Sequence, residues 1–255
     1  MKFQIARDNL LKTLNLVAGV VERRQTLPIL GNVLLDLSED TLALTGTDLE
    51  VELRGRVTVE RGSTPGRITV PARKFVDICR SLPDGSMLQV ESDESRVQLK
   101  SGRSRFSLTT LPASEFPNIE DATQGHSVSV AQAQLRRLIE RTAFAMAQQD
   151  VRFYLNGMLL ELTPEHLRAV ATDGHRLAMC TAGVATGVAE PAQVIVPRKG
   201  VLELSRLLQD DAEAPVELTI GTNHIHAQIG TFSFTSKLVD GKFPDYQRVM
   251  PRAAT

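Results

Sequence analysis

A pattern that returns after about 125 residues constrains this chain more than any other feature, because a duplicated segment has to be a folding unit in its own right. Val70-Pro71-Ala72-Arg73-Lys74-Phe75-Val76 returns as Val196-Pro197-Arg198-Lys199-Gly200-Val201. Leu44-Thr45-Gly46-Thr47-Asp48 returns as Val170-Ala171-Thr172-Asp173, and Phe116-Pro117-Asn118 as Phe243-Pro244-Asp245. Separate landmarks kept in one order and at nearly the same offset argue for two tandem copies of a single unit.

Each copy reads the same way. A short strand (Phe3 to Ile5; Ser127 to Val130) leads into an amphipathic helix whose inner face is Leu10, Leu14, Val17 and Val21 in the first copy. In the second copy the matching face is Leu135, Leu138, Ile139 and Thr142. Alternating strands follow, with Val33, Leu35 and Leu37, then Leu42 and Leu44, facing one core; Met158, Leu160 and Leu162, then Leu167 and Ala169, repeat them. A second helix starts after Pro71 or Pro197, and further strands close each copy. The expected fold class is α+β, with tandem domains that each pack two helices on antiparallel sheet. The boundary falls in the polar stretch Glu120 to His126, giving domains 1–120 and 127–251. Pro251-Arg252-Ala253-Ala254-Thr255 reads as a linker, so a third copy is expected to be missing from this polypeptide.

Bulk properties narrow the function. No apolar run of about 18 residues is present, and the N-terminus opens directly on the alternating Lys2-Phe3-Gln4-Ile5, which points to a cytoplasmic protein. Cys79 and Cys180 lack metal-ligand spacing and read as buried thiols. The net charge of -1 hides a segregation: the four predicted helical segments together carry about +7, leaving about -8 elsewhere. Arg137 and Arg141 stand four residues apart on one helix, where like charges repel unless an anion faces them. A solvated helix face is the plain alternative for any one helix; four helices agreeing favour a polyanion. Nothing reads bases: there is no zinc-finger, helix-turn-helix or RNP-like motif, and aromatic residues make up only 4%. The implied contact is with duplex phosphates and is indifferent to sequence.

Catalysis has little support. Asp173, His175 and Arg176 are acid-base residue types, yet no nucleophile accompanies them and no phosphate-binding or nucleophile-elbow motif occurs. His224 and His226 alternate onto one strand face without a third ligand, so neither a metal nor a cofactor is expected.

Several longer segments resemble one family. They include Thr26-Leu27-Pro28-Ile29-Leu30-Gly31-Asn32, Gly102-Arg103-Ser104-Arg105-Phe106-Ser107-Leu108 and Tyr154-Leu155-Asn156-Gly157-Met158-Leu159. Ala171-Thr172-Asp173-Gly174-His175-Arg176-Leu177 and the stretch from Ser236 to Tyr246 belong with them, and the likeness runs from Met1 to Pro251. Together they resemble the bacterial DNA sliding clamps, the beta subunits of DNA polymerase III. The resemblance implies the first two of three clamp domains and a non-catalytic processivity factor. In that family two three-domain subunits close head to tail around duplex DNA, and the clamp tethers polymerase, clamp loader and repair proteins through a linear peptide motif.

The resemblance also implies site residues. Duplex contacts are expected from Arg24, Arg73, Gln149, Phe153 and Tyr154, with Phe153 standing where the family has tyrosine. A partner-peptide pocket is expected from Leu155, Thr172, Gly174, His175, Arg176 and Leu177, walled by Pro244, Arg248 and Val249. Comparing the copies points to the same place: Thr47-Asp48-Leu49-Glu50 becomes Thr172-Asp173-Gly174-His175-Arg176, as if a glycine had been inserted to permit a turn. The subunit interface is expected from Lys74, Ile78, Arg103, Arg105, Phe106 and Leu108. Without a third domain, Arg103, Phe106 and Leu108 should be exposed and the chain a monomer or weak oligomer. Two rivals stay open: a peptide-binding hub that does not hold DNA, and an enzyme acting on nucleotides.

Overall fold

The computed structural model describes residues 1–22, 27–93, 95–117, 125–209 and 214–250. Its chain order is β1 (Lys2–Ala6), α1 (Arg7–Val20), β2 (Asn32–Ser38), β3 (Thr41–Thr47), β4 (Val51–Thr58), β5 (Gly66–Pro71), α2 (Ala72–Ser81), β6 (Met87–Ser92), β7 (Arg96–Ser101) and β8 (Ser104–Thr109). The same order then recurs as β9 (His126–Ala131), α3 (Gln132–Thr142), β10 (Gly157–Thr163), β11 (His166–Thr172), β12 (Leu177–Gly183), β13 (Ala192–Pro197), α4 (Arg198–Leu207), β14 (Pro215–Ile220), β15 (His224–Ile229) and β16 (Phe232–Lys237). The α+β reading holds, with antiparallel pairing among β1 to β14 and between β16 and β4.

The chain divides into two compact units, Met1–Thr123 with His226–Ser236 and Gln124–Ile225 with Lys237–Thr255. In the first unit, β1-β6-β7-β8 form one sheet and β5-β2-β3-β4 another, with β16 paired on the outer edge of β4. In the second unit, β12-β11-β10-β13 form a four-stranded sheet and β14 pairs with β9. The duplication reaches the level of register: Leu35 pairs with Leu44 in the first unit, as Leu160 does with Ala169 in the second.

Helix α1 lies directly over the row of Leu42, Leu44 and Gly46 on β3. A Cβ at Gly46 would stand 2.7 Å from the Val17 carbonyl oxygen, so only glycine admits so close a crossing. Leu10, Leu14, Val17 and Val20 are buried along the inner face of α1. Val21, expected on that face, is half-buried because the helix ends at Val20 and the chain turns extended there. In α3 the expected Leu135, Leu138, Ile139 and Thr142 are all buried.

Alternation underestimates the core. Leu34 and Leu159 point away from the helices and are buried as well. In the first unit Leu34 packs with Ile29, Leu30 and Phe116; in the second Leu159 packs with Val170, Ile195, Phe243 and Tyr246. The repeated Phe-Pro segment therefore folds back over the outer face of each sheet, leaving the central strands covered on both sides and apolar throughout.

Two further expectations are corrected. Leu108 is 5% exposed and Phe106 half-buried, because they continue the buried Val97–Leu99 face of β7; of the three residues expected to be exposed, Arg103 is open to solvent. Cys180 is half-buried rather than buried, whereas Cys79 is enclosed, and burial pushes its thiol up to about 12.

Candidate functional site

The second unit carries a groove of about 440 Å³ between the β11–β12 turn and the segment that follows Phe243. Leu155, Thr172, Gly174, His175, Arg176 and Leu177 line one side, and Pro244 and Val249 the other. Arg248 is not among the lining residues; it points to solvent, paired with Asp245 at 2.8 Å. Sequence reasoning did not place Arg152, Asp245 and Tyr246 in this groove, and it assigned Tyr154, which also lines it, to DNA.

The turn holding the groove open is built by side chains that satisfy their own backbone. The Thr172 hydroxyl accepts from the Gly174 N–H at 3.1 Å and donates to the Arg176 carbonyl at 2.7 Å. Asp173 Oδ1 accepts the His175 and Arg176 N–H groups, both at 3.0 Å, and Arg176 Nε reaches Asp173 Oδ2 at 3.0 Å. These donors, the backbone N–H groups first, pull the Asp173 carboxyl down to about 2. The guanidinium of Arg176 also donates to the Phe144 carbonyl at 2.7 Å and sits 5.5 Å from the centre of the Phe144 ring.

The glycine is not an insertion. In the first unit Thr47, Asp48 and Leu49 make the same turn, with the Thr47 hydroxyl accepting from Leu49 N–H and Asp48 accepting from Glu50 and Val51. Leu49 has φ 76 and Gly174 has φ 88. What changes is the side chain. Leu49 packs onto the Ile29–Leu34–Phe116 cluster, while Gly174 presents only backbone to the groove and the guanidinium of Arg152. The arginine at 176, in place of Val51, adds a cation at the same rim.

Of the expected duplex contacts, Arg24 lies outside the described residues. Arg73 is exposed at the start of α2, and Gln149 is exposed with φ 57. Phe153 is 55% exposed and packs edge-on against the half-buried Tyr154, ring centres 5.8 Å apart. Asp150 braces this loop: its carboxylate accepts from Arg152 Nε at 3.0 Å and Nη2 at 2.8 Å, which holds it at about 2. Its N–H and carbonyl are both bonded to the Asn156 side chain at 2.9 Å. Arg152 thus buttresses the loop beneath Phe153 while facing the groove.

Not every helical cation is available. Arg7 Nε donates to the Cys79 carbonyl at 2.8 Å, and its Nη1 pairs with Asp8 and Asp84, so it seals the C-terminal end of α2. Arg136 does the same for α4, donating to the Leu208 carbonyl at 2.8 Å and to Glu140. Lys12, Arg73, Lys74, Arg80, Arg137, Arg141 and Arg206 are exposed. The helical charge therefore divides into structural and outward-facing groups, a division invisible to residue counting.

His226 on β15 bonds Thr235 at 3.1 Å, and no group of three metal-ligating side chains occurs among the described residues. No helix is long and apolar enough to cross a membrane among the described residues.

Comparison with known proteins places these features in context. Residues 1–120 match the profile of the DNA polymerase III beta subunit, N-terminal domain, and residues 129–245 that of its central domain. The beta sliding clamp of Pseudomonas putida is 59% identical over 252 residues, covering 99% of this chain and 68% of its own length. Among solved structures, the DNA polymerase III subunit beta of Pseudomonas aeruginosa superposes with a TM-score of 0.95 at 58% identity, covering 99% of this chain and 69% of that one. Caulobacter crescentus pol III beta gives 0.91 at 40% identity, with the same two coverages.

Proposed function

Since the chain belongs to the bacterial DNA polymerase III beta subunit, or beta sliding clamp, family, we propose that it acts as a non-catalytic processivity factor that holds duplex DNA without reading it and recruits partner proteins through the groove of its second unit. The observation that carries the DNA part is the outward-facing cation set on the helices, Arg73 and Lys74 on α2 with Arg137 and Arg141 on α3, accompanied by no base-reading motif. Phosphate contact by such groups is salt-sensitive and sequence-blind. Arg24, Gln149, Phe153 and Tyr154 complete the proposed contact set, the aromatic pair offering a face to sugar or base.

The groove suits a short peptide. Leu155, Leu177, Pro244 and Val249 offer apolar surface, while Arg152, His175 and Arg176 put cationic groups on the rim. A peptide with two adjacent large apolar residues beside one acidic residue matches that lining. Polymerase, clamp loader and repair proteins are the proposed donors of such peptides, in the cytoplasm.

For assembly, β4 has its outer edge occupied by β16, whereas the equivalent β12 stands at the edge of its sheet, as does β8. Unpaired edges invite strand addition. This supports a further clamp unit pairing at β12 and a head-to-tail partner subunit at β8, met by Lys74, Ile78, Arg103, Arg105 and Phe106, with Leu108 supporting the strand from beneath.

Fluorescence anisotropy with a labelled linear duplex at two salt concentrations, repeated with an unrelated sequence, tests the DNA reading. Weak binding that is equal for both sequences and falls with salt is expected. Retention of duplex at high salt, or preference for one sequence, contradicts it, and turnover of a nucleotide substrate would favour an enzyme instead.

A further inference from the structure

Beneath the groove, the second unit contains a polar row laid across all four strands of its sheet. Thr181, Arg168, Glu161 and Gln193 are consecutive cross-strand partners on β12, β11, β10 and β13. Glu161 is 6% exposed and both its oxygens are engaged. Oε1 accepts from Arg168 Nη1 at 2.9 Å and from the Tyr246 hydroxyl at 3.0 Å; Oε2 accepts from Gln193 at 2.7 Å. Arg168 also donates to the Tyr246 oxygen at 2.9 Å and to Thr181 at 3.0 Å. Tyr246, 4% exposed, has its ring in the Leu159–Val170–Ile195–Phe243 cluster and its hydroxyl on this row. It belongs to the short turn Tyr246–Val249, whose Val249 forms a groove wall with Pro244.

The first unit has the fold but not the row. Its corresponding positions are Arg56, Ala43, Asp36 and Arg67, joined in the same register. Only Asp36 and Arg67 pair, at 3.3 Å, with the arginine well exposed. A buried carboxylate costs stability unless every lone pair is met, so an isolated copy gains nothing from burying one. At this place in the sheet the unit with the groove has a buried carboxylate, and it is aimed at the residue that anchors the groove's wall.

We infer that Glu161 is a positioning residue for the groove: through Tyr246 it fixes the Pro244–Val249 wall and thereby sets peptide affinity without touching the peptide. The inference rests on the groove being a peptide site. Ordering a wall before binding removes an entropic cost that the ligand would otherwise meet, so loosening it lowers affinity even where lining side chains are intact.

The test uses the full 255-residue chain and an acetylated, fluorescein-labelled pentapeptide with one acidic and two adjacent large apolar residues. Glu161→Gln, Tyr246→Phe and the double variant are titrated, and amide hydrogen exchange is followed over residues 244–249. Each single variant should weaken binding roughly tenfold, accelerate exchange in that segment, and leave the double variant little worse than either alone. Should Glu161→Gln fail to fold, Tyr246→Phe carries the same expectation, since it removes one hydroxyl. Wild-type binding with unchanged affinity in Tyr246→Phe overturns the inference alone. So does weakening with additive effects and no local change in exchange, the mark of general destabilisation. No peptide binding by the wild-type chain overturns the groove reading, and the inference with it.

Discussion

At the scale of single residues, the second unit departs from the first by a few side chains on an unchanged backbone. The turn at 172–176 needs a left-handed residue in both copies, and only the second uses glycine there. The first places Leu49 in that conformation, at a backbone cost of about 1–2 kcal/mol, and uses its side chain to cover Leu34 and Phe116. Asp173 makes the turn testable by pH. Its carboxyl is held at about 2 in the folded chain against an ordinary 3.8. A depressed folded value means the stabilisation is fully present above the unfolded value and disappears as pH falls through the folded one. Thermal midpoints of wild type and Asp173→Asn should therefore differ at neutral pH and converge between about pH 4 and 2. A constant gap across that window would show that the carboxylate's charge plays no part in the turn.

At the scale of elements, neighbouring arginines on α3 have separate duties. Arg136 reaches back to the last carbonyl region of α4, while Arg137 and Arg141 face outward. Substituting Arg136 by Ala should cost about 1 kcal/mol in urea unfolding and leave the salt dependence of DNA binding nearly unchanged. Replacing Arg137 and Arg141 together should do the reverse: little change in unfolding, but a slope of log affinity against log salt reduced by up to about 1.8, roughly 0.9 for each phosphate that is no longer neutralised. Equal slopes in both variants would remove α3 from the DNA-facing surface. The four helices also show why helix charge is an imperfect guide. Each begins straight from a strand without a capping side chain, and the C-terminal ends of α2 and α4 borrow arginines from α1 and α3.

At the scale of the whole molecule, enclosure and contact are different ways of holding DNA. A closed ring is retained on circular duplex and slides off linear duplex, whereas separate phosphate contacts do not distinguish the two. The 255-residue polypeptide alone is expected to bind nicked circular and linear duplex with equal, weak affinity, read by gel filtration of the mixtures at low and moderate salt. Stable co-elution with circles that is abolished by linearisation would show that this polypeptide closes a ring unaided.

Much of this was legible in the residues themselves. Period-2 and period-3.6 patterns, the prolines ahead of α2 and α4, and the repeat at an offset of about 125 residues are local or translational signals, and they determined the duplication, the α+β class and the inner faces of α1 and α3. The pocket-lining residues near Gly174 came from the family resemblance, and setting one copy against the other pointed to the same turn. What only the tertiary structure decided depends on partners distant in the chain. Arg7 is engaged by a carbonyl 72 residues away, and Tyr246 meets Glu161 across 85 residues. Charge and hydropathy say what a side chain prefers; which preference is met, and by which neighbour, is fixed when the sheets fold back and bring those distant segments together.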